Sequence, residues 1–116
     1  MGWFTRRRSR ARGSNDPVDA RSIDTAVVTH LTEFVRTRRE VEAIVEPQTN
    51  TTQTTLLLVA YDGEWTRRTV PSELWGRKFA EHLQIPVYDV NVVGYPQRMR
   101  DYNSRRKQER RSTGAD

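Results

Sequence analysis

The sequence predicts an α+β fold: a single small domain of αβββαβ order, with two helices packed on a mixed, mostly antiparallel sheet and basic disordered tails on either side. Three observations predict it. Apolar residues recur at helical spacing twice, short apolar or alternating runs occur four times, and the excess positive charge lies at the two chain ends. A chain of 116 residues has room for one domain, read as residues 16–96 between an arm of 1–15 and a basic, partly helical tail of 97–116. A core of about 80 residues can fold without staples.

The first helix is expected to begin at Asp16-Pro17-Val18-Asp19, where Asp16 can cap, Pro17 suits the first helical position and Asp19 complements the helix dipole. Ile23, Val27, Leu31, Phe34 and Val35 give its buried stripe, and Arg36, Arg38 and Arg39 close it. In the first strand Val41, Ala43 and Val45 alternate with Glu42, Ile44 and Glu46, so one face is wetter, and Pro47 ends it. The threonine-rich stretch 48–55 is a loop entering the second strand. Leu56-Leu57-Leu58-Val59-Ala60-Tyr61 is apolar throughout, as expected of a central strand.

Asp62-Gly63 then predicts a two-residue type I′ hairpin turn into Trp65–Val70, because glycine tolerates positive φ. Pro71 breaks the chain and Ser72 caps a second helix, with Trp75, Phe79 and Leu83 on its buried side. Pro86 ends that region, and residues 87–93 read as a fourth strand. From Pro96 onward the chain is polar and arginine-rich, with Met99 and Tyr102 on one side of a short helical start.

Charge divides the chain sharply. The first 14 residues carry five arginines and no acid, and the last 19 carry seven bases against three acids. The middle carries eight bases against twelve acids, so attraction to a polyanion has to come from the ends. Eighteen of the twenty bases are arginine, a bias that a GC-rich genome also produces. The absence of cysteine excludes disulfides, thiolate nucleophiles and thiolate-bound metals. No apolar run approaches the ~20 residues that span a bilayer. Gly13-Ser14-Asn15-Asp16 follows the first basic stretch where a secretory signal needs an apolar segment. A cytoplasmic protein is expected, with attachment to a membrane periphery as the alternative.

The element order resembles the PD-(D/E)xK nuclease fold, and also the αβββα double-stranded-RNA-binding domain. The nuclease resemblance implies an acid on the second strand and E-x-K on the third, holding a divalent metal and assisting the attacking water. Here the second strand, Leu56–Ala60, holds no acid, and the third, Trp65–Val70, holds neither acid nor lysine. Asp62 and Glu64 stand in and beside the hairpin turn. The resemblance therefore implies a degenerate nuclease-like fold without catalytic residues. The RNA-domain resemblance implies a basic start to the second helix, where Arg77 and Lys78 stand between Glu73 and Glu81.

No phosphate-binding glycine loop, nucleophile elbow or metal-ligand spacing is present, and the expected protein is non-catalytic, with no cofactor and no metal. At 100° per residue His30 and His82 both fall on the apolar faces of their helices. Partly buried histidines satisfied by hydroxyl or backbone groups account for them better than a metal pair, which would need a third ligand. Trp65 alternates in register with Arg67: on an open sheet face the two, with Tyr61, would form a surface for stacking and cation–π contact, whereas under a helix Trp65 is simply core, the reading that large aromatics favour.

The candidate binding residues are otherwise terminal. Trp3, Phe4, Arg6, Arg7, Arg8, Arg10 and Arg12 form one arm, and Arg105, Arg106, Lys107, Arg110 and Arg111 the other. Arginines meet phosphates and aromatics stack on bases, so nucleic acid is the first expected partner. An anionic membrane surface, with Trp3 and Phe4 as a wedge, is the second, and a protein partner the third. N-myristoylation is excluded because Arg6 stands where the acceptor pattern needs Ser or Thr. The expected role is an accessory or adaptor protein whose arms hold an anionic partner.

Overall fold

The computed structural model describes residues 23–112, which form α1 (Thr25–Thr37), β1 (Glu42–Glu46), β2 (Thr55–Val59), β3 (Trp65–Thr69), α2 (Glu73–His82), β4 (Val87–Asp89), α3 (Val90–Val93) and α4 (Gln97–Ser112). This is the predicted α+β class with one four-stranded mixed sheet. Strand order is β3-β2-β1-β4, antiparallel across the first three strands and parallel between β1 and β4.

The register sorts the side chains. Glu42, Val59 and Trp65 form one cross-strand row, and Ile44, Leu57 and Arg67 the next on the same face. Ala43, Val45, Leu56 and Leu58 point the other way, where Leu31 and Phe34 of α1 and Trp75 and Phe79 of α2 cover them. The Trp75 and Phe79 rings stack with centroids 5.0 Å apart. On the opposite face Ile44, Leu57 and Val59 meet Met99 of α4, with Trp65 and Val90 at the margin. The uninterrupted Leu56–Val59 run thus lies between two cores, which is why no polar residue breaks it.

Four expectations need correction. The first helix starts later: Asp24 caps it, accepting from the Ala26 amide at 3.0 Å, so Ile23 precedes the helix while still packing on the core. The cap expected at Asp16 lies outside the described residues. The hairpin loop has three residues, Tyr61, Asp62 and Gly63. The Gly63 amide donates to the Ala60 carbonyl at 2.9 Å and the Ala60 amide to the Glu64 carbonyl at 2.8 Å. Only Gly63 of the three takes positive φ, at 94°, as in a type I turn closed by a glycine bulge, whereas type I′ needs two such residues.

The run expected as a fourth strand splits at Asp89, whose side chain accepts from the Asn91 amide at 2.7 Å and starts the single turn α3, ended by Gly94 at φ 74°. Finally, the basic stretch expected to be helical only at its start is helical over Gln97–Ser112, and its first turns pack on the sheet. Met99 is buried, and Arg98 donates to the Ala60 carbonyl at 2.9 Å and to Glu42 Oε1 at 3.0 Å. No helix among the described residues is long and apolar enough to cross a membrane.

Candidate functional site

β3 and α4 together line a surface of aromatic, cationic and amide groups. Strand alternation puts Trp65 and Arg67 on the face away from α1 and α2, and α4 lies against that face through Met99 and Asn103. The Trp65 indole N–H donates to Asn103 Oδ1 at 2.8 Å, so the ring is fastened to the helix. The Arg67 guanidinium carbon stands 5.2 Å from the Trp65 ring centroid, within cation–π range. The face is not open: Trp65 is half-buried beneath α4 and packs at the margin of the second core, with Arg67 beside its ring. Tyr61 is elsewhere, exposed in the hairpin loop with Arg39 at 5.1 Å from its ring.

Behind Arg67 is a polar knot that sequence reasoning missed. Glu46 accepts from Arg67 Nε at 2.7 Å and Nη2 at 2.9 Å, from Thr55 Oγ1 at 2.6 Å and from the Tyr95 hydroxyl at 2.5 Å. Burial pushes the Glu46 carboxyl up, but hydrogen bonds from Arg67, Thr55 and Tyr95 and the Arg67 charge outweigh it and hold the group below its usual range. The hydrogen bond to Glu46, followed by burial, raises the Tyr95 hydroxyl, which therefore stays protonated near neutral pH. The only sequence signal was the odd acid closing the wet face of β1. Nothing in the local pattern linked it to Tyr95, 49 residues on.

Trp65, Arg67, Tyr95, Met99, Arg100 and Asn103 line a cavity of about 340 Å³. Glu46 offsets the charge of Arg67, whereas Arg100 has no ion pair among the described residues and donates only a long hydrogen bond, 3.4 Å, to Gln97 Oε1. On the helix, Arg100, Lys107 and Arg111 recur at i, i+7 and i+11 and so share the face opposite Tyr102. All three are exposed, and neither Lys107 nor Arg111 has an ion pair among the described residues. Arg105 and Arg106, also exposed, donate instead to the Asp62 carbonyl at 3.2 Å and the Tyr102 hydroxyl at 3.1 Å. Arg110 is exposed. Trp3, Phe4, Arg6, Arg7, Arg8, Arg10 and Arg12 lie outside the described residues.

The two histidines part company. His30 is half-buried with Nε2 2.7 Å from Thr66 Oγ1, the hydroxyl partner expected of a satisfied histidine. Burial, then the Arg68 and Arg38 charges, lower its pKa below the usual value. His82, expected on the apolar face of α2, is exposed, because the buried arc of that helix centres on Gly76, Phe79 and Ala80 and leaves His82 at its margin.

The acids of the hairpin serve the turn. Asp62 Oδ1 accepts from the Glu64 amide at 3.0 Å, and Glu64 takes a two-point contact from Arg38, 2.6 Å at its closer bond. Arg77 stands 3.9 Å from Asp89. Among the described residues no group of three or more His, Asp or Glu is placed to hold a metal ion. A second groove of about 480 Å³ runs between Val27, Thr52 and Val70, and no cationic side chain lines it. Comparison with protein-family models, with curated proteins and with solved structures finds no match.

Proposed function

We propose that this is a small non-catalytic accessory protein, acting in the cytoplasm, whose basic terminal segments hold an anionic partner, nucleic acid first. The observation that carries the reading is the stripe of Arg100, Lys107 and Arg111: three exposed cations on one helix face without an ion pair among the described residues. A solvated salt-bridge helix intersperses both signs, whereas this face offers only positive charge to solvent. The five arginines before residue 13 would add to the same field. Such a surface attracts phosphates through counterion release, so affinity falls steeply with salt.

The test is fluorescence anisotropy of labelled DNA and RNA against the full chain across a salt series. Two comparisons accompany it, one variant with Arg6, Arg7, Arg8, Arg10 and Arg12 changed to Gln and one with Lys107, Arg110 and Arg111 changed to Gln. If the N-terminal arm neutralises five phosphates, its removal lowers a duplex log–log slope by about 4.5. No binding by the full chain at low salt sinks the reading.

A second reading, favoured by one observation, is a protein–protein module held at a membrane surface by the aromatic and basic N-terminus. Val92 and Val93 are 79 % and 50 % exposed on α3, beside Tyr88 of the short edge strand β4. Pull-down and light scattering of the full chain against Val92→Asp would separate it from the first.

A further inference from the structure

We propose that the cavity between β3 and α4 receives one unstacked base of a single-stranded nucleic acid, with the neighbouring phosphates following Arg100, Lys107 and Arg111 outward along α4. This rests on the nucleic-acid reading above and narrows it from charge to a strand form.

Three features of the cavity fit a base. Its volume, about 340 Å³, lies at the lower end of small-ligand pockets, about 300–1,000 Å³. Its walls combine π and thioether surface from Trp65, Tyr95 and Met99 with the hydrogen-bonding ends of Asn103, Arg67 and Arg100. Stacking platforms of this composition take any base, since every base has a π face, while amide and guanidinium groups meet its edge. The groups that must hold still are already fixed: Trp65 by Asn103 and Arg67 by Glu46, so little ordering is left for the ligand to impose.

The geometry also selects the strand form. Arg100 belongs both to the cavity wall and to the basic stripe, so a phosphate on Arg100 places its own base at the cavity mouth. From Arg100 to Arg111 the stripe runs about 16 Å at ~1.5 Å per residue, room for several successive phosphates of an extended strand. A duplex could meet the stripe, but its stacked and paired bases could not enter the cavity. Polyanion and base therefore bind at adjoining places on one rigid helix. A free mononucleotide would use the cavity and leave the stripe idle.

The experiment uses the full chain with short labelled single strands and duplexes of equal length, together with adenosine monophosphate as competitor. The single strand is expected to bind about tenfold more tightly than the duplex, the size of one base–aromatic stack. Trp65→Ala removes that preference and leaves duplex binding, whereas Arg100→Gln weakens both. Should Trp65→Ala unfold, photo-crosslinking of wild type with 4-thiouridine RNA decides the matter. Attachment at Trp65, Tyr95 or Met99 supports the cavity. Equal affinity for both strand forms, with crosslinks confined to the N-terminal arm, overturns the cavity and spares the charge-based reading. Displacement by the mononucleotide as effective as by the strand also overturns it. No binding of either strand form overturns both.

Discussion

Gly63 and Arg98 touch backbone to backbone: a Cβ on Gly63 would overlap the Arg98 carbonyl oxygen and lie 2.8 Å from the Tyr102 Cβ. The hairpin turn is thus the seat on which α4 rests. Gly63 also holds φ at 94°, where side chains are strained. Gly63→Ala is expected to cost about 2–4 kcal/mol, combining backbone strain with overpacking. Urea unfolding reads this directly, and an unchanged midpoint would contradict the close approach.

Glu46 joins β1, β2, β3 and the segment before α4 through one carboxylate. Glu46→Ala leaves Arg67 and the Tyr95 hydroxyl without their acceptor. The expected loss is about 1–3 kcal/mol, moderated because the Arg67 side chain is 38 % exposed. Because the folded carboxyl lies below its ordinary value of 4.5, its contribution is fully present above pH 4.5. It is lost as pH falls through the lower folded value. Unfolding midpoints across this acid range should decline in the wild type and decline less in Glu46→Gln.

His30 supplies a second pH component with its own window. The folded imidazole is held below 6.5 by burial, then by Arg68 and Arg38, so the unfolded chain takes up its proton first. Stability from this group is complete above pH 6.5 and is lost as pH falls through the folded value. Imidazole proton shifts in NMR should give a His30 midpoint under 6.5. A midpoint above 6.5 would reverse the sign and place a carboxylate, not Thr66, beside the ring.

Phe79 is fully buried and stacks on Trp75, so Phe79→Ala should cost about 3–5 kcal/mol in denaturant unfolding. Leu74, 57 % exposed one residue from Trp75, is the matched control. Leu74→Ala is expected to change stability by less than about 0.5 kcal/mol. Similar losses for the two would mean that α2 is rotated from the orientation described.

The α+β class, the central strand and the Ser72 cap were legible because each has a local cause. Leu56–Val59 has nothing to expose, and the Ser72 hydroxyl accepts from the Trp75 amide at 3.0 Å. Failures arose where a local pattern was outvoted. Residues 87–93 alternate like a strand, yet Asp89 as cap and Gly94 as stop cut a helical turn from that run. α4 has little apolar stripe to find, since it is fastened by Met99, the Arg98 guanidinium and Asn103 rather than by a row of aliphatics. The cavity was half legible: Trp65 and Arg67 are two residues apart, whereas Tyr95 and Arg100 reach them only through the tertiary fold.

The β1–β2–β3 meander also sets an order of assembly. Its pairings join residues close along the chain, whereas β4 must return to β1 from more than 40 residues away. Closing that longer loop costs more entropy, so the hairpins are expected to form first and β4 afterwards. Residues 95–103, which supply the far wall of the cavity, follow β4 in sequence and dock on a turn already made. A folding intermediate holding only the meander would expose Leu57 and Val59 with no helix over them. In such a species the same sheet face would be a hydrophobic surface of the kind chaperones bind, until α4 docked over it.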